Sequence, residues 1–345
     1  MVYNRQVSAS KALKGGYLNT GNGWAWAPQY SPPFHIAIGT GKEDLGARFV
    51  ELNGDGKIDF VYHRWLSNSN QQKGAYLNTG NGWAAAPDFI PPFHIAAPGY
   101  SDLGARFTDL NGDGKVDLIY NRFINIFHKQ KGAFLSNGKK WVWAPQYIPP
   151  FTTAVDGVRD SGLRLIDFNG DGKSDIVFHR WINGIVQLKG AFVNNGNGWT
   201  KMNSYTPPFH ISVDKYGDLG TRFADVNGDG LVDFVYYRWI NSNNQQKGAY
   251  INSGCGWRSE PQYTPPYHIA ADGYGDRGAR LVELNGDGAI DFAYNLAVHS
   301  TRTEKGAYLA CGDTNPASCL IYSKYCSLWK AAHSMCRRTC NTCQF

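Results

Sequence analysis

The sequence predicts an all-β fold: a β-propeller of five or six four-stranded blades over residues 1–310, followed by a small disulfide-rich module over residues 311–345. Three observations predict it. The tetrapeptide Asn-Gly-Asp-Gly begins at Asn53, Asn111, Asn169, Asn227 and Asn285, always 58 residues apart. Between these turns, short segments rich in β-branched and aromatic residues alternate with Gly, Pro and Asn clusters, the pattern of short strands. Six of the seven cysteines lie between Cys311 and Cys343.

The rest of the unit keeps step. Lys-Gly-Ala-(Tyr/Phe) starts at Lys73, Lys131, Lys189, Lys247 and Lys305, with Lys14-Gly15-Gly16-Tyr17 as an earlier copy. A tryptophan recurs at Trp24, Trp83, Trp141, Trp199 and Trp257, and a Pro-Pro-aromatic at Pro32, Pro91, Pro149, Pro207 and Pro265. Self-similarity at a fixed period marks a repeat architecture. In one unit, Ala47–Leu52, Ile58–Trp65, Gly74–Asn78 and Trp83–Ala86 read as strands one to four. Both alternating faces of Phe60-Val61-Tyr62-His63-Arg64-Trp65 carry large apolar groups, so such a sheet needs neighbours on both sides. Radially stacked blades provide them and protect the sheet edges; an open solenoid leaves its end units uncapped. Residues 2–29 supply strands two to four and residues 279–310 strands one to three, so five blades with displaced strands and six with two incomplete ones both fit, six being preferred.

Composition narrows the function. Charged residues are 18%, hydrophobic residues 42% and aromatics 14%, a globular balance that excludes disorder. No apolar run is long enough for a transmembrane helix. Met1-Val2-Tyr3-Asn4-Arg5 does not open a signal peptide, which fits either a mature form or an omitted export signal. Net charge is +6, and Lys324, Lys330, Arg337 and Arg338 against Asp313 place +3 of it in the tail. The remainder lacks the concentrated basic face of a nucleic-acid binder. Six cysteines in 33 residues imply a disulfide staple and a secreted, extracellular setting. Cys255 stands apart, as a free thiol or an interchain disulfide; without a local base it is not a catalytic nucleophile.

The repeated turn reads as a calcium loop. In Glu51-Leu52-Asn53-Gly54-Asp55-Gly56-Lys57-Ile58-Asp59, side-chain oxygens fall at positions one, three, five and nine, and Lys57 at position seven offers a carbonyl. Hard oxygens at this spacing suit Ca²⁺. The other sets are Asp109, Asn111, Asp113, Lys115 and Asp117; Asp167, Asn169, Asp171, Lys173 and Asp175; Asp225, Asn227, Asp229, Leu231 and Asp233; and Glu283, Asn285, Asp287, Ala289 and Asp291. Position twelve is aromatic rather than the EF-hand Glu, so the loop joins two strands and the ion's expected role is structural. One such turn could be a simple hairpin. Five copies that keep the outlying acids favour calcium.

These loops resemble the FG-GAP/VCBS repeats of integrin-like propellers, over residues 1–310. That resemblance implies a calcium-stabilised propeller and leaves open extracellular adhesion, lectin activity and toxin-complex scaffolding. Tyr17–Trp24 and Tyr76–Trp83 are similar to stretches of bacterial toxin-complex propellers. The tail resembles a ShKT domain in its cysteine spacing, Asp313 and the ending Cys336-Arg337-Arg338-Thr339-Cys340-Asn341-Thr342-Cys343. Six cysteines allow fifteen connectivities; the resemblance implies Cys311–Cys343, Cys319–Cys336 and Cys326–Cys340, with Asp313 pairing with Arg338. Lys330 is followed by Ala331, so the Lys-Tyr pair of channel-blocking ShKT peptides is missing.

Strand direction sorts the ligand chemistry. The calcium turn and the turn between strands three and four lie at one end of each blade. At the other end, strand two brings His63-Arg64-Trp65, His179-Arg180-Trp181 and Tyr237-Arg238-Trp239, weakened to Asn121-Arg122-Phe123. The link to the next blade brings His35, His94, His210 and His268, lost at Thr152, with an acid at Asp44, Asp102, Asp160, Asp218 and Asp276. An aromatic ring covers the C–H face of a sugar while charged groups take its hydroxyls. The competing reading is packing, with Arg64 paired to Asp102. The expected function is a secreted, multivalent carbohydrate-binding protein whose partners are glycans or glycoproteins, repetition supplying avidity. A protein-binding adhesion or toxin-scaffold module, bound to a cell-surface protein, is the alternative. A polysaccharide-acting enzyme fits less well, because near-exact repetition argues against one asymmetric catalytic site.

Overall fold

The computed structural model describes residues 1–8, 11–38, 44–67, 69–98, 101–156, 160–182, 185–214, 217–272, 275–284, 290–299 and 302–309. The ShKT-like tail with its three implied disulfides, and Asn285, Asp287 and Ala289 of the fifth loop, lie outside them. The chain divides into two compact units, Met1–Gly157 with Asn194–Trp199, and Val158–Val193 with Thr200–Phe345. The described residues form six sheets, the blades of an all-β propeller.

Each sheet grows from its long second strand. Asp59–Ser67 pairs antiparallel with Ala47–Val50 on one edge, in the register Ala47↔Tyr62 to Val50↔Asp59. On the other edge it pairs with Asn70–Asn78, which pairs with Trp83–Ala85. Phe60 and Val61 point to opposite faces and neither is exposed, so both faces are buried as the sequence predicts. The third strand begins at Asn70 rather than Gly74. Its Asn-Gln-Gln-Lys start is polar and mostly exposed, so it carries no strand pattern and backbone pairing defines it.

Sequence patterning misses the return of the chain after strand four. A single 3₁₀ turn, Pro87–Phe89, reverses its direction. The Pro-Pro link then comes back as the short strand Ala96–Ala97, pairing parallel with the far end of strand two, Arg64↔Ala96. Arg180↔Ser212 and Arg238↔Ala270 repeat the pairing. Two residues are too few to show a strand period.

Within each unit, neighbouring blades are joined by stacked rings. In the first unit Phe34 lies on Tyr62 and Phe93 on Tyr120, each pair with centroids 3.9 Å apart. In the second, Phe209 lies on Tyr236 at 4.0 Å and Tyr267 on Tyr294 at 4.2 Å. The ring on strand two also explains the Lys-Gly-Ala motif. A Cβ at Gly132 would stand 2.6 Å from the Tyr120 hydroxyl oxygen, and one at Gly248 2.9 Å from the Tyr236 ring, so the aromatic lies on bare backbone.

Gly132→Ala is therefore predicted to cost about 1–3 kcal/mol in urea denaturation by overpacking. Combined with Tyr120→Leu, the cost should be less than additive, because the second change removes the clash. Additive costs would contradict this packing.

Candidate functional site

The two ends of each blade do different chemistry. At the turn end, Asp109 Oδ1 accepts from the amides of Asn111 (3.2 Å) and Gly112 (2.7 Å), and Oδ2 from Gly114 (2.8 Å). Asn111 Oδ1 accepts from Asp113 N (3.1 Å), and Asp113 Oδ1 from Lys115 N (2.9 Å). The Lys115 ammonium lies 2.8 Å from Asp113. Positive φ at Gly112 and Gly114 allows the tight path.

Position nine is turned inward. Asp117 is fully buried; Oδ2 accepts from Leu110 N (2.9 Å) and Oδ1 from Ser136 N (2.7 Å). Asp59 binds Leu52 N and Asn78 N in the same way, and Asp233 binds Val226 N and Asn252 N. One carboxylate thus ties the loop to the end of strand three. Burial pushes Asp117 up to about 7 and Asp233 up to about 6; the amides oppose this, and the loop acids add to it. Among the described residues, no three His, Cys, Asp or Glu side chains are grouped to hold a metal ion. A cation here would draw on the acids at positions one and five, the Asn at three and the carbonyl at seven, hard oxygens that fit Ca²⁺. The aspartate at position nine, expected among the ligands, gives its oxygens to amides instead at Asp59, Asp117 and Asp233.

At the opposite end the structure brings strand two and the link together, as expected, but divides their residues. His63 and His179 face inward. The His63 Nδ1–H donates to the Pro91 carbonyl (2.7 Å), and Nε2 lies 3.2 Å from Gln71 Oε1. His179 meets Pro207 and Gln187 in the same way. Asn121 Nδ2 and Asn4 Nδ2 donate to Pro149 and Pro32 from the equivalent position. This position anchors the link, and at 4% and 2% exposure His63 and His179 are removed from any ligand surface, a correction to the sequence reading. Tyr237 is also buried, with its hydroxyl on Gln245.

The arginines are likewise engaged. Arg180 Nε lies 2.6 Å from Asp214, and Arg238 grips Asp272 with Nε (2.6 Å) and Nη2 (2.7 Å). Arg122 grips Asp156 (2.7 and 2.8 Å). These acids lie 34 residues after each arginine, a spacing repeated in the sequence that would have revealed them; after Arg64 that place holds Pro98. The acids expected to serve this end, Asp44, Asp102, Asp160, Asp218 and Asp276, instead pair with Arg48, Arg106, Arg164, Arg222 and Arg280, four residues on.

Tryptophan and link histidine remain at this end. His210 stacks on half-buried Trp181, centroids 4.6 Å apart at 13°, and neither of its buried ring nitrogens has a hydrogen-bond partner. His268 lies 6.2 Å from Trp239. Trp65 is half-buried, packed against the core around Phe93 and Ile95, while His94 stands 4.5 Å from His63. His35 Nδ1 meets Asn4 Oδ1 at 2.8 Å, with Gln6 in place of the tryptophan. Cys255 is exposed and free.

Comparison with known proteins agrees with the fold. A model of the FG-GAP-like repeat family matches residues 51–120. A T-cell immunomodulatory protein homolog of Plasmodium yoelii yoelii is 24% identical over 229 residues, covering 56% of this chain and 30% of that protein. Its counterpart in Plasmodium falciparum (isolate 3D7) is 25% identical over 165 residues, covering 42% and 20%. The chain spans less than a third of either relative. Among solved structures, an Agrocybe aegerita lectin that recognises non-reducing terminal N-acetylglucosamine superposes with a TM-score of 0.55 at 16% identity, over 92% of this chain and 81% of that one. The Photorhabdus luminescens Tc holotoxin pore superposes at 0.45, with 16% identity, over 87% and 13%.

The histidine pairs make stability depend on pH. Burial, then the neighbouring histidine and Arg122 or Arg238, hold His94 and His210 down to about 4 against an unfolded value of 6.5. Their contribution is intact above 6.5 and is lost as pH falls toward 4. Asp117 and Asp233, raised to about 7 and 6, act in the opposite sense, losing stability as pH rises. The informative quantity is therefore the melting-temperature difference between wild type and His94→Gln/His210→Gln. Wild type should lose ground steadily against the variant from pH 6.5 to 4; a constant difference would contradict the assignment.

Proposed function

We propose that the chain is a multivalent carbohydrate-binding protein, with shallow sites at the strand-two end of its repeats. The sites centre on Trp65 with His94, Trp181 with His210, and Trp239 with His268. The observation that carries this reading is the Trp181–His210 stack with both histidine nitrogens unpartnered. Buried polar atoms in folded proteins nearly always have partners. A sugar resting on the indole face that His210 leaves uncovered would meet that imidazole once the ring turns its nitrogens outward. Arg180 and Arg238, fixed by Asp214 and Asp272, would hold the site's shape and charge rather than bind first. The third repeat, with Phe123 and Thr152, lacks both elements and should be the weakest. Similarity to a lectin that recognises non-reducing terminal N-acetylglucosamine makes that sugar the first probe to try.

Ca²⁺ belongs to the same proposal as a structural ion. Positions one, three, five and seven of each loop would hold it and tie strand one to strand two, in the extracellular setting that the cysteine-rich tail suggests.

Two measurements test this. Immobilised N-acetylglucosamine-terminated glycans should retain the protein, and the Trp65→Ala/Trp181→Ala/Trp239→Ala variant should lose retention while staying folded. A folded variant that binds equally well would move the site elsewhere; failure of each single variant to fold would make these residues packing alone. Separately, EDTA should lower the melting temperature by several degrees and Ca²⁺ should restore it, since a ligand of the native state stabilises it. An unchanged melting curve in metal-stripped protein would remove calcium.

A further inference from the structure

Among the described residues, the largest exposures of apolar side chains occur at two hairpin tips between strands two and three. Ile126 and Phe127 are 77% and 84% exposed, and Ile185 is 86% exposed beside the half-exposed Val186. The turn does not require them. In the first tip, Asn125 Oδ1 accepts from Phe127 N (2.9 Å) and His128 N (3.0 Å), and the ladder bulges between Phe123 and Asn125. The corresponding hairpin of a later repeat has the same bulge, between Trp239 and Asn241, and the same bond from Asn243 N to Asn241 Oδ1 (3.0 Å). There the tip residues are Ser242 and Asn243. One backbone design thus carries a polar tip in one repeat and an apolar tip in another. The apolar residues answer to something outside the turn.

We propose that the Ile126–Phe127 tip inserts into the interface of an anionic lipid membrane, as does, in its own unit, the Ile185–Val186 pair, which stands where other repeats carry Ser69–Asn70 and Asn243–Asn244. The charge pattern selects this occupant. The hairpin from Tyr120 to Phe134 contains His128, Lys129 and Lys131 and no acid, its Arg122 being taken by Asp156. Lys129 replaces the glutamine that stands at Gln71, Gln187 and Gln245. It is exposed and lies two residues behind Phe127, about 7 Å along a strand at ~3.3 Å per residue. That matches the depth, roughly 5–10 Å, to which amphipathic segments bury their apolar side at a bilayer surface. Lysines at this depth meet lipid phosphates, and Phe sits in the interfacial zone. The Ile126–Phe127 tip belongs to the repeat that lacks the tryptophan and the link histidine, whereas the Ile185–Val186 tip closes the hairpin that carries Trp181; neither needs a sugar on the lipid.

Vesicle flotation tests the proposal, using phosphatidylcholine alone and phosphatidylcholine with phosphatidylserine, with full-length wild type, Ile126→Ser/Phe127→Asn and Ile185→Ser/Val186→Asn. The substitutions copy the polar repeats, and an unchanged melting temperature verifies the fold. Wild type should bind the phosphatidylserine vesicles, less at high salt, and each variant should bind roughly tenfold more weakly or worse. Lys129→Gln should weaken binding to phosphatidylserine vesicles while keeping the apolar tip. Wild type that ignores both vesicle types, or variants that bind like wild type, would overturn the proposal. So would a wild-type dimer that the tip variants abolish, since the tips would then be docking a second copy.

Discussion

The buried aspartate at position nine of each loop constrains everything else in the blade. Asp59, Asp117 and Asp233 have no side-chain exposure to speak of, and each holds two amides from segments remote in the sequence. An unpaired carboxylate at that depth would be very costly. The loop must therefore close over it, and strand three must end beside it. That fixes the register of strand two, and a register slip of one residue would exchange its two faces. From the aspartate onward, Phe60 and Val61 take opposite buried faces, Tyr62 reaches the stacking position, and His63 reaches the proline carbonyl.

The same register separates packing from presentation at the far end. A side chain at the His63 position meets a carbonyl that the Pro-Pro link delivers, and His, Asn or Tyr occupies it in different repeats. Two residues further along, strand two leaves the shelter of its neighbours, and tryptophan becomes half-exposed. Blade-to-blade ties reinforce this order. Ser136 Oγ donates to the Leu52 carbonyl (2.5 Å) and Asn252 Nδ2 to that of Phe168 (2.7 Å), each reaching the loop of the preceding repeat.

Much of this was legible in the sequence because the repeat amplifies weak local signals. Strand patterning in a single 58-residue unit is ambiguous, yet the recurring Asn-Gly-Asp-Gly and Pro-Pro-aromatic motifs located the strands and placed strand two beside the link. What stayed hidden depends on three-dimensional partnership. Repetition marks Phe93 and His94 equally, but only packing shows that Phe93 stacks on Tyr120 while His94 faces His63. The acids recurring at Asp102 and its equivalents looked suited to Arg64, and the structure gives them to arginines four residues on. The true partners of the strand-two arginines, Asp156, Asp214 and Asp272, were overlooked because they recur in only three repeats.

The central claim is that register divides the histidines of each repeat into anchors and presenters. Histidine-ring NMR during a titration with N-acetylglucosamine oligomers tests it most directly. The account predicts that signals of His94, His210 and His268 move with saturable binding while those of His63 and His179 stay fixed. Shifts confined to His63 and His179, with the link histidines unmoved, would contradict it.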